Sequence, residues 1–366
     1  MLKKIMLALI LFSCSLVTLA EQLKINHDAP TTYVVKKGDT LWDISSVFLN
    51  QPWFWPKLWR LNPEIKNPHL IYPGDILSLV FDENGVPKLV LNSTGAKPTY
   101  KWSPTVRHIN KQDTAIQLLP LEVIAPFIKY DHLFSAEELE GLPYVIGNDE
   151  GYRSSINGFN VYVNKNLELA KTYAIYNKSE EIIDPETEES IGFYVDLVAT
   201  GQAISTGNMA EKTPATLKIS TAKREIRSGD YVVPVHEGQM LPSVFNMKAV
   251  EESFRGSIIK SVSNGREFGK LEIVMLNRGV EHQVTVGDVM AIKRLSPSVV
   301  ETSVGTKYVE EAPYWDRILT AEDSDYKMPK EYVGELIVFK VYPKASMALI
   351  LRTEKPARLN DMLTAP

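Results

Sequence analysis

YVVKKGDTLWDISSVFLNQPWFWPKLWRLNPEIKNPHLIYPGDILSLVF, residues 33–81, has an apolar strand at each end and two short helical stretches between them. Tyr33-Val34-Val35 is a β-prone run ended by Gly38. Thr40 stands three residues before Asp43, the spacing of a capping box, in which each side chain accepts an orphan amide at a helix start. Leu41, Ile44 and Phe48 fall at i, i+3 and i+7, which gives that helix one buried face. Pro56 suits the first turn of a second helix, where its missing N–H costs nothing, and Pro63 stops it after Leu58, Trp59, Leu61 and Asn62. Tyr72-Pro73-Gly74-Asp75 has the sequence of a type II turn and delivers the chain into a closing strand, Ile76–Phe81. The predicted order is strand, helix, helix, strand, in a block small enough to need a dense core.

Trp42, Trp53, Trp55 and Trp59, four of the six tryptophans, lie in this block. Such rings either stack on sugars or fill the core of a small domain, and the core reading is favoured for Trp42 and Trp59, which share helices with core residues. The Gly38-Asp39-Thr40-Leu41 turn and the Asn67–Gly74 run resemble the loops of the LysM module, a fold that recognises N-acetylglucosamine-containing polymers. The resemblance implies a shallow glycan groove with Gly38, Asp39, Thr40 and Leu41 on one wall and Pro68, Leu70 and Ile71 on the other. Backbone amides released by a glycine turn suit acetamido groups, while apolar side chains suit sugar methyls. His69 shares the loop and reads as a solvent-facing residue.

Lys3-Lys4, the apolar run Ile5–Phe12 and the small-residue stretch ending Thr18-Leu19-Ala20 read as a secretory signal over residues 1–20, too short to span a bilayer. Leu11-Phe12-Ser13-Cys14 is a weaker match to a lipoprotein site; Phe12 fits poorly, which favours cleavage after Ala20 over lipidation at Cys14. Without Cys14 the mature chain has no thiol and rests on packing alone in an oxidising compartment. The expected location is the periplasm, at the cell wall near the outer membrane, with no transmembrane span in the mature chain. A formal net charge of −5 with interspersed signs argues against nucleic acid, which demands concentrated positive charge.

Beyond a module at residues 31–82 and a linker at 83–103, the chain reads as β-rich: a mixed subdomain at 104–210 and a barrel-like domain at 211–366. Val106–Ile109, Thr114–Leu118 and Leu121–Ala125 are strand candidates, and Ser135 is placed to cap a short helix through Leu139. Phe159–Val163 alternates as an exposed strand; Tyr173–Tyr176 and Gly192–Thr200 continue the β character around Thr187-Glu188-Glu189. A Gly-Asp turn followed by an apolar strand recurs at Gly74-Asp75, Gly229-Asp230 and Gly287-Asp288, and at Asn360-Asp361 with Asn replacing Gly. Common turn chemistry suffices to explain it, yet these strands point to a sheet or barrel. Ser257–Val262 and Lys270–Leu276 flank the hairpin cue Asn264-Gly265; Gly334–Tyr342 and Ser346–Leu351 form a second hairpin. Residues 296–329 read as a long excursion. The fold class is α+β, a small βααβ module followed by a larger β-rich region of one or two subdomains in which a barrel-like arrangement is expected.

Most wall-hydrolase chemistries lack their residues here. The histidines, His27, His69, His108, His132, His236 and His282, are scattered without zinc spacing, and no serine nucleophile motif stands out. Glu137, Glu138 and Glu140 read as a solvated helix face. The expectation is a non-enzyme without cofactor or metal. The architecture, with the Pro52–Trp59 insertion in its LysM unit, resembles the secretin-associated type IV pilus protein family (TsaP), and the C-terminal part is similar to the C-terminal domain of the flagellar protein FlgT. That resemblance implies an anchor tying an outer-membrane secretin ring to peptidoglycan. The alternatives are a wall-remodelling enzyme or hydrolase activator targeted by its LysM unit, and a general wall-binding protein without a pilus role.

Overall fold

Strand β1 (Thr32–Val34) leads through the Gly38 turn into helix α1 (Leu41–Phe48), a 3-10 turn at Pro52–Phe54 and helix α2 (Trp55–Arg60). Strands β2 (Ile76–Phe81) and β3 (Pro87–Asn92) follow, and β2 pairs antiparallel with β1 on one side and β3 on the other. In this computed structural model the described residues are 23–60, 71–82, 85, 87–92, 119, 121–130, 133–235, 247–263, 265–297, 299–302, 305–308 and 328–366. The chain divides into two units, residues 1–119 and 120–366. The core of the first is Leu41, Trp42, Ile44, Phe48, Leu58, Ile71, Leu77 and Leu89, all buried. A fully buried side chain of this size contributes roughly 1.5–3 kcal/mol. The segment expected as linker from residue 83 therefore carries a strand of the sheet; Pro87 is accommodated because β3 lies at the sheet edge.

In the second unit, helix α3 (Leu121–Lys129) replaces the strand expected at Leu121–Ala125. A short apolar run fits a helix as well as a strand, and the apolar pattern here continues through Pro126 to Ile128. Pro126 removes one helical hydrogen bond, and the helix end is held from far along the chain: Lys340 Nζ donates to Phe127 O at 3.1 Å and Tyr130 O at 3.0 Å. The strand candidates at 106–109 and 114–118 lie outside the described residues. Helix α4 (Ala136–Gly141) follows strand β4 (Leu133–Phe134), and Ser135 caps it as expected; Glu138, read as part of a solvated face, returns the bond by accepting the Ser135 amide.

Strands β5 (Val145–Asn148), β6 (Ser154–Ser155), β7 (Asn160–Val163), β8 (Thr172–Ile183) and β9 (Ser190–Ser205) precede β10 (Ala215–Ala222), β11 (Ile226–Arg227) and β12 (Tyr231–Pro234). The sheet order is β12-β8-β9-β10-β7-β5, and β6 pairs separately with β11. Its two ends meet, since Val145 N–H donates to Asp230 O at 2.9 Å and Gly229 N–H to Val145 O at 2.8 Å, beside a Tyr144–Tyr231 bridge. Val145, Val161, Val163, Ile175, Leu217 and Val232 fill the interior. β7 thus lies between β10 and β5 with alternate residues buried, where an exposed strand is expected from its alternation. A boundary at 210/211 would cut through this sheet.

The remaining strands are β13 (Lys248–Ala249), β14 (Gly256–Ser261), β15 (Glu267–Phe268), β16 (Ile273–Leu276), β17 (Asp288–Leu295), β18 (Val299–Thr302) and β19 (Gly305–Tyr308). They end with β20 (Lys330–Val341), β21 (Ser346–Thr353), β22 (Ala357–Arg358) and β23 (Met362–Thr364). Strands β17-β20-β21-β16-β14-β23 follow one another, and β23 pairs back onto β17, closing a six-stranded barrel. The two expected hairpin partnerships form, β14 with β16 and β20 with β21. The β14–β16 connection is longer than the Asn264-Gly265 cue implies, because β15 lies within it and pairs with β22. Ile258, Leu276, Met290, Ile292, Leu336, Ala348 and Leu363 form its core. Arg294 of β17 clamps the closing turn: its Nε and Nη2 each donate at 2.7 Å to a different carboxylate oxygen of Asp361, which is buried.

Between the barrels, the turn joining β8 to β9 meets a polar seat. The buried Asn277 donates from Nδ2 to Asp184 Oδ1 at 2.9 Å; Arg278 donates to Asp184 Oδ2 at 3.4 Å and pairs with Glu186. Lys344 pairs with Glu189 at 3.3 Å, and Lys260 pairs with Glu180. Burial works to raise the Asp184 pKa, but the hydrogen bonds from Asn277 and the Glu186 amide, with Arg278 beside them, outweigh it and hold the carboxyl below its ordinary value.

Replacing Arg294 with Ala leaves the Asp361 carboxylate buried without its clamp, and the chemical-denaturation midpoint of the second unit is expected to fall by an equivalent of roughly 3 kcal/mol. For Asp184, a folded pKa below the ordinary 3.8 means a stabilisation present above that value and lost as pH falls through the folded pKa. The melting temperature of Asp184→Asn, measured against pH, should lie below wild type at neutral pH and converge on it in that acidic window.

Candidate functional site

Two turns of one geometry sit side by side on the first unit. In Lys36–Asp39, Gly38 takes φ +92°, Asp39 N–H returns to Lys36 O at 3.2 Å, and the Asp39 carboxylate accepts Lys36 N–H at 2.8 Å. In Tyr72–Asp75, Gly74 takes φ +96°, Asp75 N–H returns to Tyr72 O at 3.1 Å, and Asp75 accepts Tyr72 N–H at 2.9 Å. Val35 ties them together: its N–H donates to Asp75 O at 2.9 Å and its carbonyl accepts Gly74 N–H at 2.8 Å.

The first turn is braced on both flanks. Tyr33 donates its hydroxyl to Asp39 Oδ2 at 2.9 Å; burial, and then the hydrogen bond to Asp39, push its pKa up to about 12, so it remains a donor at neutral pH. Thr40 caps α1 as its spacing predicts: Asp43 N–H donates to Thr40 Oγ1 at 3.2 Å and Thr40 N–H to Asp43 Oδ2 at 3.0 Å. Gly38 is exposed, and its amide has no backbone partner among the described residues, whereas the amide of Gly74 at the same place in the second turn is taken by Val35 O.

Of the residues expected to line a groove, Gly38 is exposed and Asp39 and Thr40 are half-buried. Leu41 and Ile71 differ from the expectation that apolar side chains face the sugar: both are fully buried in the core and present no accessible surface to a ligand. Pro68, Leu70 and His69 lie outside the described residues. Trp42, Trp53 and Trp55 are buried, which removes them as stacking platforms; the indole N–H groups of Trp42 and Trp55 find no partner among the described residues. Sequence reasoning passed over Tyr72, which is 40% exposed beside the Gly74 turn. Its place within a turn motif rather than a helix face was the available signal.

A family model described as LysM domain matches residues 33–80. A 64-residue segment is 41% identical to uncharacterized protein YqbP of Bacillus subtilis (strain 168), covering 15% of this chain and 29% of that protein. The chain therefore spans less than a third of the relative it matches. A LysM domain indicates binding to peptidoglycan or a related carbohydrate, and it is a binding unit, generally without catalysis. Among the described residues, no helix is long and apolar enough to cross a membrane.

An added Cβ at Gly38 or Gly74 would meet no atom within 4 Å, so substitution there tests backbone conformation alone. Gly38→Ala and Gly74→Ala should each cost about 1 kcal/mol in denaturation, because the left-handed backbone strains an L residue. The same variants should weaken retention on chitin oligosaccharide resin, where Gly38→Ala displaces the amide of the exposed turn.

Proposed function

We propose that this protein is a non-catalytic anchor of the cell envelope: its LysM domain grips the N-acetylglucosamine-containing glycan of peptidoglycan, and its second unit engages an outer-membrane secretin ring in the periplasm. The observation that carries the glycan half is the match at residues 33–80 together with the exposed Gly38 turn, locked to its neighbour through Val35. Gly38, Asp39 and Thr40 form the accessible described part of the site, Leu41 and Ile71 support it from the core, and Pro68 and Leu70 complete it in this reading. The contact is stereochemical: the amide of the exposed Gly38 turn meets an acetamido carbonyl, while the net charge of −5 offers no general attraction to an anionic wall.

The secretin half rests on the resemblance of the chain's segment order to the secretin-associated pilus proteins. A weak single module suffices in such an arrangement, because copies held by one assembly add their glycan contacts through effective concentration.

Co-sedimentation with purified sacculi separates the parts. Full-length protein should pellet, and a version lacking residues 31–92, cut so that β3 is not left without β2, should remain in the supernatant. Affinity isolation from detergent-solubilised envelopes, read by mass spectrometry, should recover a secretin with both versions. Sacculus binding without a secretin in either sample reduces the protein to a general wall binder, and release of soluble muropeptides overturns the non-catalytic reading.

A further inference from the structure

The two barrels of the second unit are built on one plan. Counting the six barrel strands of each in chain order, the neighbours run third, fourth, fifth, second, first, sixth in both, and the sixth closes back on the third. The small pairs β6–β11 and β15–β22 occupy the same places in the two chain paths. Individual bonds repeat as well. Val145 N–H to Asp230 O at 2.9 Å corresponds to Ile258 N–H to Asp361 O at 3.1 Å. Asn177 donates to Asp230 Oδ1 at 2.9 Å where Arg294 donates to Asp361 Oδ1 at 2.7 Å. Ala174-Ile175 and Ala291-Ile292 hold the same register against the sixth strand. Ala170 and Gln283, both at φ 61°, stand six residues after Asn164 and Asn277.

This equivalence identifies a second seat. In the second barrel, Asn277 accepts Ser257 N–H at 2.7 Å through Oδ1, leaving Nδ2 to take Asp184 of the incoming β8–β9 hairpin, while Arg278 donates to Arg255 O at 2.7 Å and pairs with the same hairpin. In the first barrel, Asn164 accepts Tyr144 N–H at 2.7 Å and Lys165 donates to Gly141 O at 2.6 Å, the same two inward bonds. The outward half differs: Asn164 Nδ2 has no partner among the described residues, and Lys165 is exposed. Tyr144, Leu169 and Ile204 are exposed by 42%, 62% and 48% on the segments around this seat. Backbone bonds from Leu167 to Thr206 and from Ala170 to Ala203, each 2.9 Å, bring the last two segments together.

What fills the occupied seat is the connection between third and fourth strands. Its counterpart in the second barrel is the excursion between β17 and β20, which carries the β18–β19 hairpin. Those two strands pair with each other and with no other described strand. Residues 296–329 hold seven acids, Glu301, Glu310, Glu311, Asp316, Glu322, Asp323 and Asp325, against the three bases Lys307, Arg317 and Lys327, the charge sign that the filled seat receives. We propose that Asn164 and Lys165 form a docking seat for the β18–β19 excursion of a second copy of this chain. The contact is head to tail, so copies extend in a series that ends only if it closes into a ring. It is independent of what the LysM domain binds.

The test is sedimentation velocity of the full-length protein across a concentration series. Reversible association is expected, weakened roughly tenfold or more by Lys165→Glu, which reverses one charge of the seat. It should be lost when residues 299–308 are replaced by a Gly-Ser linker. Each variant retains its circular dichroism and melting curve if only the contact is affected; Asn164 itself is left intact because it holds the barrel at Tyr144. Mixing the two variants should give a one-to-one complex that grows no further, since one supplies only a hairpin and the other only a seat. A chain that stays monomeric throughout, association untouched by Lys165→Glu, or variants that fail to pair on mixing would each overturn the proposal.

Discussion

A carboxylate that takes the backbone amide three residues before it, across a turn whose third residue has positive φ, is the contact on which both units are built. Asp39 accepts from Lys36, Asp75 from Tyr72, Asp230 from Arg227, Asp288 from Thr285 and Asp361 from Arg358, each amide 2.8–2.9 Å from its acceptor oxygen. Glu272 repeats the arrangement with Gly269 N–H at 2.6 Å, there with Leu271 in the strained position at φ 68°. A hydrogen bond to an ionised group contributes roughly 1.5–3 kcal/mol, enough to hold a turn that would otherwise be marginal. Because a strand slipped by one residue presents its core face to solvent, fixing the turn also fixes the register of β2, β12, β16, β17 and β23 behind it.

Local devices of this kind were legible in the sequence. The Thr40–Asp43 box, the Ser135 cap, the bounds of β2 and the recurring Gly-Asp pairs all depend on residues within four positions of one another, where spacing alone carries the information. What was not legible depends on distance. Helix α3 reads as a strand because the lysine that donates to its last carbonyls comes from β20, and the boundary at 210/211 fails because β10 pairs with β9 on one side and β7 on the other. In the candidate site, Gly38 and Asp39 lie where their turn chemistry puts them. The inward orientation of Leu41 and Ile71 is a property of the closed core, and spacing within a loop does not report it.

The likeness of the two barrels was hidden for a related reason. Their shared contacts fall on polar positions with few identities, such as Asn164-Lys165 beside Asn277-Arg278 and Arg227-Ser228-Gly229-Asp230 beside Arg358-Leu359-Asn360-Asp361. Apolar interiors tolerate exchange among residues of similar volume, so the core strands drift while bonds to buried backbone are retained. The division of labour follows: the first unit presents backbone on a small rigid turn pair, and the second presents side chains on the ends of two barrels.

Closure of the second barrel also decides how other chains meet it. An open sheet carries unpaired amides and carbonyls along its rim, a template on which any extended peptide can add a strand and from which aggregates start. With β23 bonded to β14 on one side and β17 on the other, the closed ring of strands has no such rim. This leaves recognition by the second barrel to loops and side chains and denies it to promiscuous backbone pairing.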